Sequence, residues 1–200
     1  DVVGVLNGST VNGYFLAIAD GNAIGLTGER VKNCIKNVLD WHTTDVWLRA
    51  IRETKSGALL TSDKVAKLVE TIGEDAVGYF GKLLDNPPPI TVLTDDRILG
   101  QLDLYTFLGA HSGAYFDAVV ATGTMQELTG EKFKEFLQLL GPECAGAYLS
   151  AIAATGDIEI LLSKRMQDFA LVMKGAAKDY FRAIANSKAL KELAADRVLL

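Results

Sequence analysis

Apolar residues along this chain recur at steps of three and four, as in Val31, Ile35, Val38, then Val65, Leu68, Val69, Ile72, then Phe133, Phe136, Leu137, Leu140. That spacing places each set on one face of a helix. A second kind of set, Ala76, Tyr79, Phe80, Leu83 and Ala145, Tyr148, Leu149, Ile152, has the same helical step. The pattern predicts an all-α chain without a sheet.

The second kind of helix carries an aromatic phrase that appears six times, led by Tyr14-Phe15, Trp47-Leu48, Tyr79-Phe80, Tyr115-Phe116, Tyr148-Leu149 and Tyr180-Phe181. Its lead aromatics are spaced 33, 32, 36, 33 and 32 residues apart. Between them runs a second phrase, Leu26-Thr27, Leu60-Thr61, Leu93-Thr94 and Leu128-Thr129, with weaker copies at Leu161 and Leu193, spaced 34, 33, 35, 33 and 32. Two phrases alternating on one beat imply tandem units. The Leu-Thr phrase is expected to open a helix A. There the threonine hydroxyl can accept from free amides, and Glu29, Asp63, Asp96 and Glu131 lie at the positive end of the dipole.

Helix A is expected to stop at a glycine, as in Ile72-Gly73, Leu108-Gly109, Leu140-Gly141 and Lys174-Gly175, and Pro142 suits the first turn of the following helix B. Two helices this short cannot bury both apolar faces alone, so each unit must stack on its neighbours. The expected architecture is one α-solenoid, a right-handed superhelix of two-helix repeats of about 33 residues. Its units are 26–59, 60–92, 93–127, 128–160 and 161–192, with partial units 1–25 and 193–200 that mark a piece of a longer array. The repeated aromatic is expected to wedge between units. Unit 93–127 carries Tyr105, Thr106 and Phe107 before Gly109, which lengthens its helix A or the turn after it.

Composition adds limits. The chain has no apolar stretch near the roughly 18 residues of a membrane span, so no membrane partner is expected. Cys34 and Cys144 fall within apolar helical patterns and read as free core thiols. The expected localisation is soluble and cytoplasmic, or that of a secreted effector acting in a reducing host cytosol. With 25 acids against 20 bases and a net charge of -5, the chain offers no cationic footprint for phosphate.

Candidate chemistry is sparse. Asp20-Gly21-Asn22-Ala23-Ile24-Gly25 looks like the first half of a calcium loop, yet the bidentate acid at its twelfth position is replaced by Val31, which leaves a linker. His42 and His111 lie 69 residues apart, with no metal-ligand spacing around either. Gly109 to Gly113 lacks the Gly-x-Ser-x-Gly order of a nucleophile elbow. Asn86-Pro87-Pro88-Pro89 reads as a rigid linker, with a polyproline II ligand as the alternative. No cofactor, metal, catalytic residue or small-molecule substrate is expected.

In period, in the Leu-Thr opening, in the apolar residue at the sixth position and in the mid-unit glycine, the units resemble the DNA-binding repeats of TAL effectors. The resemblance is one of spacing. Those repeats place a Lys-Gln pair at the start of the second helix, near the phosphates, where this chain has Glu74-Asp75, His111-Ser112 and Pro142-Glu143. Acids at that position oppose phosphate binding.

The expected function is therefore a non-catalytic scaffold for a protein or peptide partner. The alternatives are a nucleic-acid-binding array, or a helical module attached to an enzyme outside this stretch. Candidate partner-binding residues, chosen by position in the A-to-B turns and along helix B, are Trp41, His42, Asp45, Glu74, Asp75, His111, Glu143 and Lys178. From the charge we expect no measurable binding to duplex DNA or RNA at physiological salt. An anisotropy titration checks this, and micromolar binding at low salt that weakens linearly on a log-log salt plot would restore the nucleic-acid reading.

Overall fold

The computed structural model describes residues 4, 6, 8–22, 25–37 and 40–187. Among them there are helices and turns and no strand. Val38, the Leu193 copy of the Leu-Thr phrase and the partial unit 193–200 lie outside the described residues. Internal contacts divide the chain into two units that meet at Leu102 and Asp103.

In the first unit the longer helices are α1 (Gly8–Ala17), α2 (Gly28–Asn37) and α3 (Trp41–Thr54). The single turn α4 (Gly57–Leu60) leads to α5 (Asp63–Ile72) and α6 (Ala76–Lys82), and the turns α7 (Ile90–Leu93) and α8 (Asp96–Leu99) follow. Helix α1 packs on α3 and α3 on α6, while α2 packs on α5 and α5 on α8. The second unit has α9 (Leu102–Leu108), α10 (Ser112–Thr122), the turn α11 (Met125–Leu128), α12 (Glu131–Leu140) and α13 (Pro142–Thr155). The turn α14 (Ile158–Leu161), α15 (Lys164–Met173) and α16 (Gly175–Ser187) complete it. Helix α13 lies between α10 and α16, and α12 packs on α15. Covered from both sides, α13 buries residues on almost every face, from Cys144 through Leu149 and on to Ala151 and Ile152. A helix apolar all round is what such a position requires.

The lead aromatics Trp47, Tyr79, Tyr115 and Tyr148 are wholly buried and Tyr14 nearly so, while Tyr180 is half-buried, and one bond from the lead ring recurs. Trp47 Nε1 donates to the Leu60 carbonyl at 3.0 Å, and the hydroxyls of Tyr79, Tyr115 and Tyr148 donate to Leu93, Leu128 and Leu161 at 3.0, 3.1 and 2.6 Å. Tyr14 does the same to Leu26 at 3.1 Å. Four of these leucines end the one-turn helices α4, α7, α11 and α14. A helix leaves its last carbonyls without partners, and the buried ring satisfies the final one. Tyr148 is wholly buried and contacts Phe136 of α12 and Phe181 of α16 edge-on, at centroid distances of 5.3 and 4.9 Å.

The structure corrects the role of the Leu-Thr phrase. In its later copies it closes a one-turn helix and does not open helix A. Thr61, Thr94 and Thr129 turn their hydroxyls back to the carbonyls of Gly57, Ile90 and Met125. The residue capping the next helix stands one place later: Ser62, Asp95 and Ser163 accept from the amides of Val65, Arg97 and Met166. The acids are where they were expected, with Glu29, Asp63, Asp96 and Glu131 all in first turns. Gly73 and Gly141 end α5 and α12 at positive φ, and Pro142 opens α13, but Lys174, not Gly175, takes the positive φ that ends α15. Over 93–127, where a longer helix A or a longer turn was expected, the helix is interrupted at Gly100, which separates α8 from α9.

Removing the Tyr148 ring and removing only its hydroxyl should have different effects. Tyr148→Phe strands the buried Leu161 carbonyl at about 1–3 kcal/mol, whereas Tyr148→Ala also opens a cavity, for about 3–5 kcal/mol. Denaturant unfolding of both variants checks this, and two equal losses would mean that the ring packs without consequence.

Burial pushes the phenols of Tyr79, Tyr115 and Tyr148 well above the ordinary range, and pushes the Cys34 thiol to about 12, with Asp63 adding to the rise and Arg30 opposing it. A raised acid holds its proton in the folded state, so its stabilisation is complete below the unfolded pKa and is lost as pH rises above it. Stability should therefore begin to fall above about pH 8.5 through Cys34 and steepen near about pH 10, by about 1.4 kcal/mol per pH unit for each buried phenol. Denaturant midpoints across that range read it out. Tyrosinate absorbance growing in while the helices persist would contradict it.

Candidate functional site

In the second unit a cleft of about 440 Å³ opens where the ends of α12 and α15 meet the starts of α13 and α16. It is lined by Leu139, Leu140, Pro142, Ala170 and Leu171, by the buried Cys144, and by Glu143, Lys174 and Lys178. Two tight turns, each with one residue at positive φ, build it. Gly141 at φ 78 ends α12 and lets Pro142 start α13, and Lys174 at φ 49 ends α15 one residue before α16. Because the following helices are fixed in the core by Tyr148 and Phe181, both wholly buried, their first turns are held in place.

The electrostatics centre on one ion pair. Lys178 Nζ donates to Glu143 Oε2 and joins α16 to α13. The bond and charge of Lys178 hold the Glu143 carboxyl below its usual range, helped by the charges of His111 and Arg182. The imidazole of His111 packs against α13 at Gly146, where a Cβ would come within 2.7 Å of His111 Cγ. Glycine at 146 is thus what admits the histidine beside the cleft. Burial raises the Cys144 thiol, against a smaller opposing effect of Lys178, so it stands in the cleft as a protonated thiol and not as a nucleophile.

The eight candidate residues all lie at helix starts, and the structure brings three of them together. Glu143 and Lys178 are paired in the cleft, and His111 sits near enough to bias Glu143. Trp41, His42 and Asp45 are in the first turns of α3, where the Trp41 and His42 rings meet edge-on at 5.7 Å and Trp41 stays 63 % exposed. Glu74 and Asp75 form the short 3-10 turn ahead of α6. These five belong to the first unit. What position in the repeat did not select was the aliphatic wall, Leu139, Leu140 and Leu171, and the rim cation Lys174. One sequence signal was available: Leu139 falls off the buried stripe of Phe133, Phe136 and Leu137 and is left 70 % exposed.

Asp20, the first residue of the calcium-like loop, spends its carboxylate on Arg52 at 2.9 Å. Among the described residues no group of three His, Cys, Asp or Glu side chains is placed to hold a metal ion. No described helix is long and apolar enough to cross a membrane. No family model, curated protein or solved structure matches the chain.

Proposed function

We propose that the chain is a stretch of stacked two-helix repeats, a solenoid, serving as a non-catalytic scaffold that binds a protein or peptide through its A-to-B turns. The recurring bond from a buried aromatic to the last carbonyl of the next one-turn helix supports the repeat, since identical local solutions recur at the sequence period. The cleft at the α13 and α16 starts carries the binding reading. Its lining joins aliphatic side chains, of which Leu139 is left 70 % exposed, with the charged Glu143, Lys174 and Lys178, the mixture of apolar and charged groups that a protein interface uses.

The groups there are poorly set for acid-base or nucleophilic work. Glu143 is held as a carboxylate by Lys178, and Cys144 is held as a thiol by burial. Binding needs neither to change state.

A peptide library selected on the immobilised chain, followed by amide-exchange mapping of the winners, tests the reading. Protection is expected across 139–144 and 170–178. Failure to select any binder, or protection confined to helix interiors far from the A-to-B turns, would overturn it.

A further inference from the structure

The cleft also specifies what kind of peptide it suits. Its wall is made of Leu139, Leu140, Pro142, Ala170 and Leu171, and Leu139 leaves 70 % of its surface in water. Val172, next to Leu171 in the sequence of α15 but not part of the lining, is 79 % exposed. Large aliphatic side chains left outside on two neighbouring helices are surface that an apolar group can cover.

The charges at the rim are unequal. Lys174 and Lys178 stand against Glu143 alone, and Glu143 is already paired with Lys178. Lys174 makes no ion pair among the described residues, and at the positive φ that ends α15 its backbone amide donates to the Ala170 carbonyl. Arg182 adds a further positive charge within reach of Glu143. Elsewhere the helix starts carry Asp45, Glu74 and Asp75, and the chain as a whole is at -5. Positive charge not taken up by an ion pair, beside an apolar surface, attracts an anionic partner even to a chain that is acidic as a whole.

We propose that the cleft takes a short acidic peptide segment, with an aliphatic side chain against the Leu139–Leu171 wall and an adjacent carboxylate on Lys174. The proposal rests on the scaffold reading and narrows it to one partner chemistry. A small metabolite suits the cleft less well, because small-molecule sites rely on several convergent polar groups within an enclosed pocket, and here the charged groups are at the edge of an aliphatic wall. The volume of about 440 Å³ admits a side chain and the backbone that flanks it.

The test uses two labelled, end-blocked peptides, one with the core Asp-Leu-Glu between Gly-Ser flanks and its neutral twin with the core Asn-Leu-Gln. Fluorescence anisotropy against the full chain should show the acidic peptide binding more tightly, and more weakly as salt rises. Lys174→Glu, at an exposed position, should reduce that affinity about tenfold, and a Lys-Leu-Lys peptide should recover binding to this variant. Leu139→Gln, also exposed, should weaken both core sequences alike. Circular dichroism of each variant confirms the fold. Acidic and neutral peptides binding equally, or Lys174→Glu leaving affinity unchanged, would overturn the acidic-segment assignment while the selected-library result keeps the scaffold reading standing. Neither peptide binding, together with an empty library selection, would remove both.

Discussion

A buried carbonyl that has no helical partner is the constraint on which this structure turns. Four one-turn helices, α4, α7, α11 and α14, end in a buried leucine, and burying the leucine takes its own carbonyl out of water. Left unpaired, such a group costs about 1–3 kcal/mol. The hydroxyl or indole donor that answers it comes from the preceding longer helix, 13 or 14 residues back. One bond thereby fixes three things: the depth of the ring, the place where the short helix stops, and the register between them. The threonine that follows completes the turn by returning its hydroxyl to the carbonyl four residues earlier.

Fixing the middle of each long helix leaves its start free to vary. The first turn of α13 begins with proline and an acid, that of α16 with glycine and alanine, and that of α3 with an exposed tryptophan. None of these residues is needed for the ring-to-carbonyl bond, which lies nearly two turns further on. The cleft is a product of this division of labour. Tyr148 and Phe181 position α13 and α16, and the residues ahead of them decide what the gap between the helix starts presents to a ligand.

Much of the helical organisation was legible because periodicity reports burial. Tyr148, Phe136 and Leu137 fall on the helical stripe, and the structure buries them. Caps were less legible. A threonine before an acid has the composition of a helix start, and only geometry distinguishes a hydroxyl accepting from an amide ahead from one donating to a carbonyl behind. Thr61 donates, so the cap moves to Ser62. The break at Gly100 was less legible still, because one glycine within an apolar pattern does not by itself mark where the chain leaves the helix. At the cleft, Glu143, Lys178 and His111 could be chosen by position, but their proximity depends on the packing of α10, α13 and α16, which no local pattern encodes. Lys174 was hidden by its neighbour, since Gly175 is the residue expected at positive φ.

That last substitution bears on the chemistry of the cleft. A lysine in the left-handed region accepts a backbone conformation that glycine would adopt with less strain, and Gly175, one residue on, was available for the role. Placing the strain on Lys174 fixes a cation at the rim at the point where α15 stops. A side chain leaving a helix terminus by a fixed backbone has less freedom to lose on pairing than one carried by a mobile loop. Lys178, by contrast, is positioned through its bond to Glu143, so the two cations differ: one joins the helix starts, and the other makes no ion pair among the described residues.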